Sequence, residues 1–310
     1  MNCTHLTKLM IFVFTVATVS FPKTAWAQEL RYDAVRRIYT LEYIADDGTS
    51  VRDEIVPPNH IEPETWVEIE SGGRHTWVYR YGLSNRPGLL STQPLFRVKI
   101  DCLHEGGIQA LAGPSGWGAS EQFDSSQQRF FCRFVASDQA HLMPGDSVHG
   151  FLIQSQLLPR TAEGRFWGIR PPPPVLESAS ERPDVALLKA QAVGSLGGWY
   201  SLRVIAPGRP PEELSDPARG VGTVTLDLAE TCELGWISNP GICNSLRVKL
   251  EQASRALERG NNEAAVGLLQ AFLNELEAQH GDEPGKHVND NAYWLLKVNV
   301  EFILERMENH

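Results

Sequence analysis

The spacing of the apolar residues changes once along the chain, near Cys243. Before this point, apolar and polar residues alternate in short runs, as at residues 38–44 and 76–83, and this alternation indicates strands with one buried face. After it, apolar residues recur every three to four positions, which indicates amphipathic helices. The chain of 310 residues is therefore predicted to contain a strand-rich region followed by a helical one.

Turn residues separate the predicted strands. Asp47-Gly48 lies between the runs at 38–44 and 51–56, and Gly72-Gly73 lies between those at 65–69 and 76–83, so each pair of runs is predicted to form a hairpin. Further strands are predicted at residues 95–102, 129–135, 147–155, 199–206 and 222–228. Many short strands of this kind predict an antiparallel β-sandwich, with proline-rich loops, over residues 28–231.

Two stretches interrupt the strand pattern. The four prolines from Pro171 to Pro174 must be extended, and we interpret them as a rigid crossover or linker rather than as a recognition site. Residues 207–220 carry four more prolines and are interpreted as an irregular loop. Residues 184–193 fit either a short helix or a buried strand.

Three amphipathic helices are predicted at the end of the chain. The first carries an apolar stripe from Leu246 to Leu257 and ends at Gly260. The second is capped by Asn261 or Asn262 and ends at His280-Gly281, and the third covers residues 292–307. They predict a small three-helix bundle within residues 232–310.

The first 27 residues have the features of a secretory signal peptide. Lys8 precedes an apolar run at residues 9–19, and Ala25-Trp26-Ala27 is a small-residue cleavage signature. The apolar run is shorter than the ~20 residues that span a bilayer. We therefore expect cleavage near Ala27 and a secreted or periplasmic protein without stable membrane insertion.

The charge balance is acidic. The net charge is −10, and removal of the signal, with its two lysines and no acid, leaves −12. Because nucleic acids and anionic lipids attract clustered Lys and Arg, this balance argues against both, and we expect no nucleic-acid partner.

Four cysteines remain after signal cleavage: Cys102, Cys132, Cys232 and Cys243. An even number in an oxidising compartment favours two disulfides, and four cysteines allow three pairings. We favour neighbours, because Cys102 and Cys132 fall on the apolar faces of two predicted strands and Cys232 and Cys243 flank a turn. A zinc site is the disfavoured alternative, since no C-x-x-C spacing is present.

The helical region resembles a known module of exported bacterial proteins, the FIMAH module. The resemblance rests on the small-residue stripe of the first helix, on the Gly260-Asn261 turn, and on the run from Ala264 through Ala271-Phe272-Leu273-Asn274 to Ala278-Gln279. Leu276 stands where the module commonly has Val. The resemblance implies an accessory or scaffolding part of a secreted protein and implies no catalysis.

The strand-rich region resembles immunoglobulin-like or fibronectin-like sandwich domains of uncharacterised exported bacterial proteins. Three elements carry this resemblance: residues 79–85, Pro114-Ser115-Gly116-Trp117, and residues 143–151 with Ser155 and Leu158-Pro159. It implies the fold and export rather than an activity.

Candidate catalytic constellations are few and unspecific. Gly113-Pro114-Ser115-Gly116 falls short of a nucleophile elbow, because Trp117 replaces the last glycine. A cluster of acids around one histidine is more typical of a solvated connection than of a metal or acid–base site; its members are Asp53, Glu54, His60, Glu62 and Glu64. Cys102 and His104 would be a thiol–imidazole pair only if the cysteine stayed reduced.

We therefore expect no catalytic residue, no metal site and no cofactor. The expected function is a non-enzymatic binding or scaffolding module whose partner is a protein or an envelope polysaccharide. One alternative is a carbohydrate-binding accessory protein that uses exposed tryptophans, with Trp66 and Trp117 as the first candidates. The other is a hydrolase of unrecognised type that uses His60, Glu62 or His104.

Overall fold

The computed structural model describes residues 29–45, 47–73, 76–102, 107–125, 129–169, 185 and 199–308. Within these residues, twelve strands in three antiparallel sheets are followed by four α-helices. The predicted signal peptide, His104 and the prolines at 171–174 lie outside the described residues, as do all of residues 184–193 except Val185.

The first sheet is small and forms at the start of the described chain. Its strands are β1 (Glu29–Asp33), β2 (Ile38–Ile44) and β3 (Ser50–Ile55), paired in the order β1-β2-β3. The β2–β3 pairing confirms the predicted hairpin, whereas β1 was not predicted.

Two larger sheets form the sandwich. The four-stranded sheet has the order β4-β5-β10-β7 and consists of β4 (Pro63–Gly73), β5 (Thr76–Asn85), β7 (Ile108–Ala112) and β10 (Ser147–Ser155). The five-stranded sheet has the order β12-β11-β6-β9-β8 and consists of β6 (Leu95–Asp101), β8 (Trp117–Asp124), β9 (Arg129–Ala136), β11 (Leu158–Gly168) and β12 (Tyr200–Arg209). The predicted antiparallel sandwich is confirmed.

Alternation along each strand divides the residues of the five-stranded sheet between two faces. In β6, Val98 and Ile100 are buried in the core between the sheets, so Arg97 and Lys99 lie on the outer face. The structure joins Cys102 to Cys132 at the end of the β6–β9 pair and Cys232 to Cys243 in the helical region. This is the pairing of neighbours that the sequence analysis favoured.

The helices are α1 (Pro217–Glu233), α2 (Pro240–Glu258), α3 (Asn262–Gln279) and α4 (Asp290–Glu308). Helix α1 packs against α2 and α4, and α3 packs against the same two helices, so the four form a closed bundle. The Cys232–Cys243 disulfide links α1 to α2. Within the residues described, no helix is long and apolar enough to cross a membrane.

Helix α1 corrects the sequence analysis, which predicted a strand at residues 222–228 and a bundle of three helices. The β-branched valines and threonines of this segment favour a strand locally. However, Val221, Val224 and Leu228 are fully buried at helical spacing. Burial of this stripe in the bundle therefore overrides the local preference, and Asp216 caps the helix by accepting a hydrogen bond from the Arg219 amide.

The bundle is docked on one edge of the sandwich. Helix α4 packs against β4 and β11, and the side-chain Nδ2 of Asn291 donates to the backbone carbonyl of Thr65 at 3.0 Å. The rings of Trp77 and Phe302 meet edge to face at 6.1 Å. One continuous apolar cluster runs through the sandwich and the bundle, so the two regions share a core.

Candidate functional site

The two tryptophans expected at a ligand surface have different positions. Trp117 is 6% exposed and its ring packs edge to face on Phe151, with ring centres 5.0 Å apart. The expectation that Trp117 is exposed is therefore wrong, because this ring fills the core between the sheets. Trp66 is half-buried on the outer face of the four-stranded sheet, where its ring covers Gly82 and contacts His149.

The acids and the histidine that were considered as a cluster, and interpreted as a solvated connection, are dispersed among separate contacts. His60 is buried, and its Nε2 lies 2.9 Å from the carbonyl oxygen of Arg37. Glu54 pairs with Arg36, and Glu64 pairs with Arg86 at 3.7 Å. In the part of the chain that the structure describes, no group of three or more His, Cys, Asp or Glu side chains is arranged to hold a metal.

The outer face of the five-stranded sheet carries a group of cations that the sequence analysis did not identify. Arg133 of β9 is paired in register with Lys99 of β6, and Lys99 is paired in register with Arg165 of β11. Arg97 lies two residues before Lys99, so it projects from the same face. We call Arg97, Lys99 and Arg133 the cationic face, because Arg165 beside them is only 9% exposed and pairs with Glu163.

Aromatic rings lie between these cations. The Lys99 ammonium is 5.5 Å from the ring centre of Phe131 and 5.7 Å from that of Trp167. The guanidinium of Arg165 lies 5.1 Å from Phe131 and 5.2 Å from Trp199, and that of Arg97 lies 5.7 Å from Trp167. These distances fall within cation–π range, so the rings hold the cations in place.

Ion pairing on this face is incomplete. Arg165 donates to Glu163 at 2.9 Å, and this hydrogen bond holds the pKa of Glu163 below its usual value. Among the described residues, no carboxylate lies within ion-pair distance of Arg97, Lys99 or Arg133, and the buried Nε of Arg97 has no hydrogen-bond partner.

Burial and mutual repulsion lower the pKa of two of these cations. Burial and the neighbouring charges of Arg133 and Arg97 lower the pKa of Lys99, and burial and Arg133 lower the pKa of Arg97. Like charges directly opposite each other on adjacent strands destabilise a sheet. A bound anion would relieve this repulsion and supply the missing hydrogen-bond acceptors, so the arrangement is suited to anion binding.

Comparison with protein families identifies the helical region. The FIMAH domain model matches residues 223–305, which includes most of α1 as well as α2, α3 and the greater part of α4. The predicted resemblance to this module is therefore confirmed. A comparison with curated proteins gives no match.

Among solved structures, the chain is similar to an uncharacterised protein from Nocardia farcinica that is described as having an immunoglobulin-like fold. The sequence identity is 11% and the TM-score is 0.25, and the similarity covers 44% of this chain and 95% of the other.

Proposed function

We propose that this protein is a non-enzymatic binding module that acts in the periplasm or outside the cell and uses the cationic face to hold an anionic partner. The observation that carries this proposal is the group formed by Arg97, Lys99 and Arg133 on the neighbouring strands β6 and β9, three partly exposed cations without an ion-pair partner among the described residues. The chain as a whole is acidic, with a net charge of −10, so this group is a local exception to the overall charge.

Location outside the cytoplasm is supported by the signal-like first 27 residues and by the two disulfides. The contacts of the candidate catalytic residues support a binding role rather than catalysis. Cys102 and Cys132 are joined in a disulfide and provide no nucleophilic thiol, and His60 is buried against a backbone carbonyl.

The bundle has a scaffolding part in this proposal. It shares a core with the sandwich and docks at the edge formed by β4, β11 and β12, whereas the cationic face projects from the outer side of β6 and β9. A rigid attachment of this kind would keep the binding face in a fixed orientation relative to anything attached to the helices.

The test is retention of the mature protein on a carboxylated cation-exchange matrix at pH 7.5 and low salt. An acidic protein with a pI near 5.4 is expected to flow through unless a local positive surface binds the matrix. We expect the wild type to be retained and the triple variant Arg97→Gln/Lys99→Gln/Arg133→Gln to flow through.

The matched control is Arg52→Gln/Arg80→Gln/Arg86→Gln, which also removes three positive charges, from surface arginines that pair with Glu42, Glu70 and Glu64. This variant is expected to be retained like the wild type. Wild-type protein in the flow-through would contradict the proposed function, as would equal retention of the first triple variant.

A further inference from the structure

A cleft opens where the sandwich meets the bundle, between the β4–β5 hairpin and the second half of α4. Its volume is about 120 Å³, and side chains of β4, β5 and α4 line it. Ligand sites form preferentially in clefts of this kind, at the boundary between two structural regions, where an apolar lining carries a few converging polar groups. The lining of the cleft therefore indicates what it binds.

The deeper part of the lining is apolar, and one wall is aromatic. Ile69, Val298 and Phe302 are at most 6% exposed. Trp77 is half-buried, and its ring makes an angle of 62° with the ring of Phe302. The guanidinium of Arg306 already lies 4.8 Å from the ring centre of Phe302, so Trp77 is the ring that a ligand in the cleft would contact.

The charged side chains that line the cleft, within the part of the chain that the structure describes, are two carboxylates. Glu301 and Glu305 lie one helical turn apart on α4. Burial raises the pKa of Glu301, and the charges of Glu305 and Glu277 add to this effect. Lys297 is 4.0 Å from Glu301, but its ammonium donates to the hydroxyl of Tyr293 at 2.9 Å and does not line the cleft. The lining therefore has negative charge beside an aromatic ring.

These features favour one class of ligand. Carboxylates and the face of an indole ring both attract a positive group, and a buried apolar lining favours an apolar stem. A hydrated metal ion would gain nothing from the ring or the apolar lining, and a neutral apolar molecule would gain nothing from the carboxylates.

We infer that the cleft binds an organic cation, that is, an ammonium or guanidinium group on an apolar stem, with the charge beside Glu301 and Glu305 and the stem against Trp77. A free amine and a basic side chain of a partner protein share this chemistry. The inference is independent of the proposed function, because the cationic face lies on the five-stranded sheet.

The test is an NMR titration of the mature protein that follows the indole N–H signal of Trp77, which the variant Trp77→Phe assigns by its disappearance. The probe n-butylammonium has both the charge and the stem, n-butanol has the stem alone, and Ca²⁺ has the charge alone. We expect n-butylammonium to bind about tenfold more tightly than n-butanol, and Ca²⁺ to leave the Trp77 signal unchanged.

A charge variant adds a second readout. Glu301→Gln is expected to weaken n-butylammonium binding about threefold while leaving n-butanol binding unchanged. The matched control is Glu258→Gln, which removes the same charge from an exposed position at the end of α2 that does not line the cleft. Both glutamates are exposed, so neither substitution disturbs the core.

Four outcomes would overturn the inference. These are an unchanged Trp77 signal in n-butylammonium, equal binding of n-butanol, a Trp77 shift with tighter binding of Ca²⁺, and equal weakening by Glu301→Gln and Glu258→Gln.

A further probe, Nα-acetyl-lysine methylamide, separates the two sources of the cation. Binding as tight as that of n-butylammonium would support a basic side chain of a partner protein. Its exclusion from a cleft that still binds n-butylammonium would support a free amine.

Discussion

Arg209 and Asp227 form a bidentate ion pair, with both nitrogen–oxygen distances at 2.7 Å. Arg209 is the last residue of β12 and Asp227 lies within α1, and their exposed fractions are 7% and 5%. Asn299 of α4 donates to the same carboxylate at 3.3 Å and to the carbonyl of Pro159 at 3.1 Å. The buried carboxylate of Asp227 therefore links the end of β12 in the sandwich to α1 and α4 in the bundle.

Loss of one partner of this pair is expected to be strongly destabilising. Asp227→Ala removes the bidentate partner of the buried Arg209 guanidinium and leaves only the Glu213 carboxylate at 3.9 Å, which costs about 3–5 kcal/mol. Replacement of both partners by apolar residues, as in Arg209→Met/Asp227→Leu, is expected to cost much less. Urea unfolding measures both changes, and a single variant within about 1 kcal/mol of the wild type would contradict this role.

The sandwich and the bundle are expected to unfold together. Their apolar cluster is continuous, and Trp77 of the sandwich contacts Phe302 of the bundle. Calorimetry of the mature protein is therefore expected to give one transition whose calorimetric and van't Hoff enthalpies agree. Two separate transitions would show that the regions fold independently.

Both disulfides are expected to stabilise the fold, by different amounts. Cys102 and Cys132 are separated by 30 positions and Cys232 and Cys243 by 11. Loop-closure entropy gives about 4 kcal/mol for the longer loop and about 3 kcal/mol for the shorter one. Paired Cys→Ala variants are expected to reduce the unfolding free energy in this order, and the reverse order would contradict the entropic explanation.

The contact between Glu230 and the sandwich is expected to weaken in acid. Burial alone would raise the pKa of Glu230, but hydrogen bonds from Thr161 at 2.6 Å and from Arg203 at 3.0 Å outweigh burial and place it below the usual value. A carboxyl with a lowered pKa stabilises the fold above its unfolded value of about 4.3 and loses this contribution as the pH falls through the folded pKa.

The corresponding measurement is the difference in Tm between the wild type and Glu230→Gln. The difference is expected to be largest near neutral pH and to shrink below about pH 4. A difference of the same size at both pH values would show that ionised Glu230 does not stabilise the docked bundle.

Local sequence patterns were sufficient for much of the fold. The hairpins at Gly48 and Gly73, where φ is +84° and +82°, were predicted from their turn residues. The caps and apolar stripes of α2, α3 and α4 identified three helices. Helix α1 was missed because the β-branched residues around Val224 favour a strand until the rest of the bundle is present to bury them.

The candidate site could be predicted only in part. Alternation in β6 already indicates that Arg97 and Lys99 share a face. The cationic face also requires β6 to lie beside β9, a strand that is distant in sequence. Local patterns do not specify which strands become neighbours, so the proximity of Arg133 and Arg165 to Lys99 emerges only in the structure.

The most direct test of the central claim is how the affinity of the mature protein for the carboxylated matrix depends on salt concentration. Each cation that contacts an anionic polymer adds about one to the slope of log affinity against log salt. The account predicts that Arg97→Gln, Lys99→Gln and Arg133→Gln each reduce the slope by about one, whereas Arg80→Gln leaves it unchanged. An unchanged slope in the triple variant would contradict the assignment of the cationic face as the binding surface.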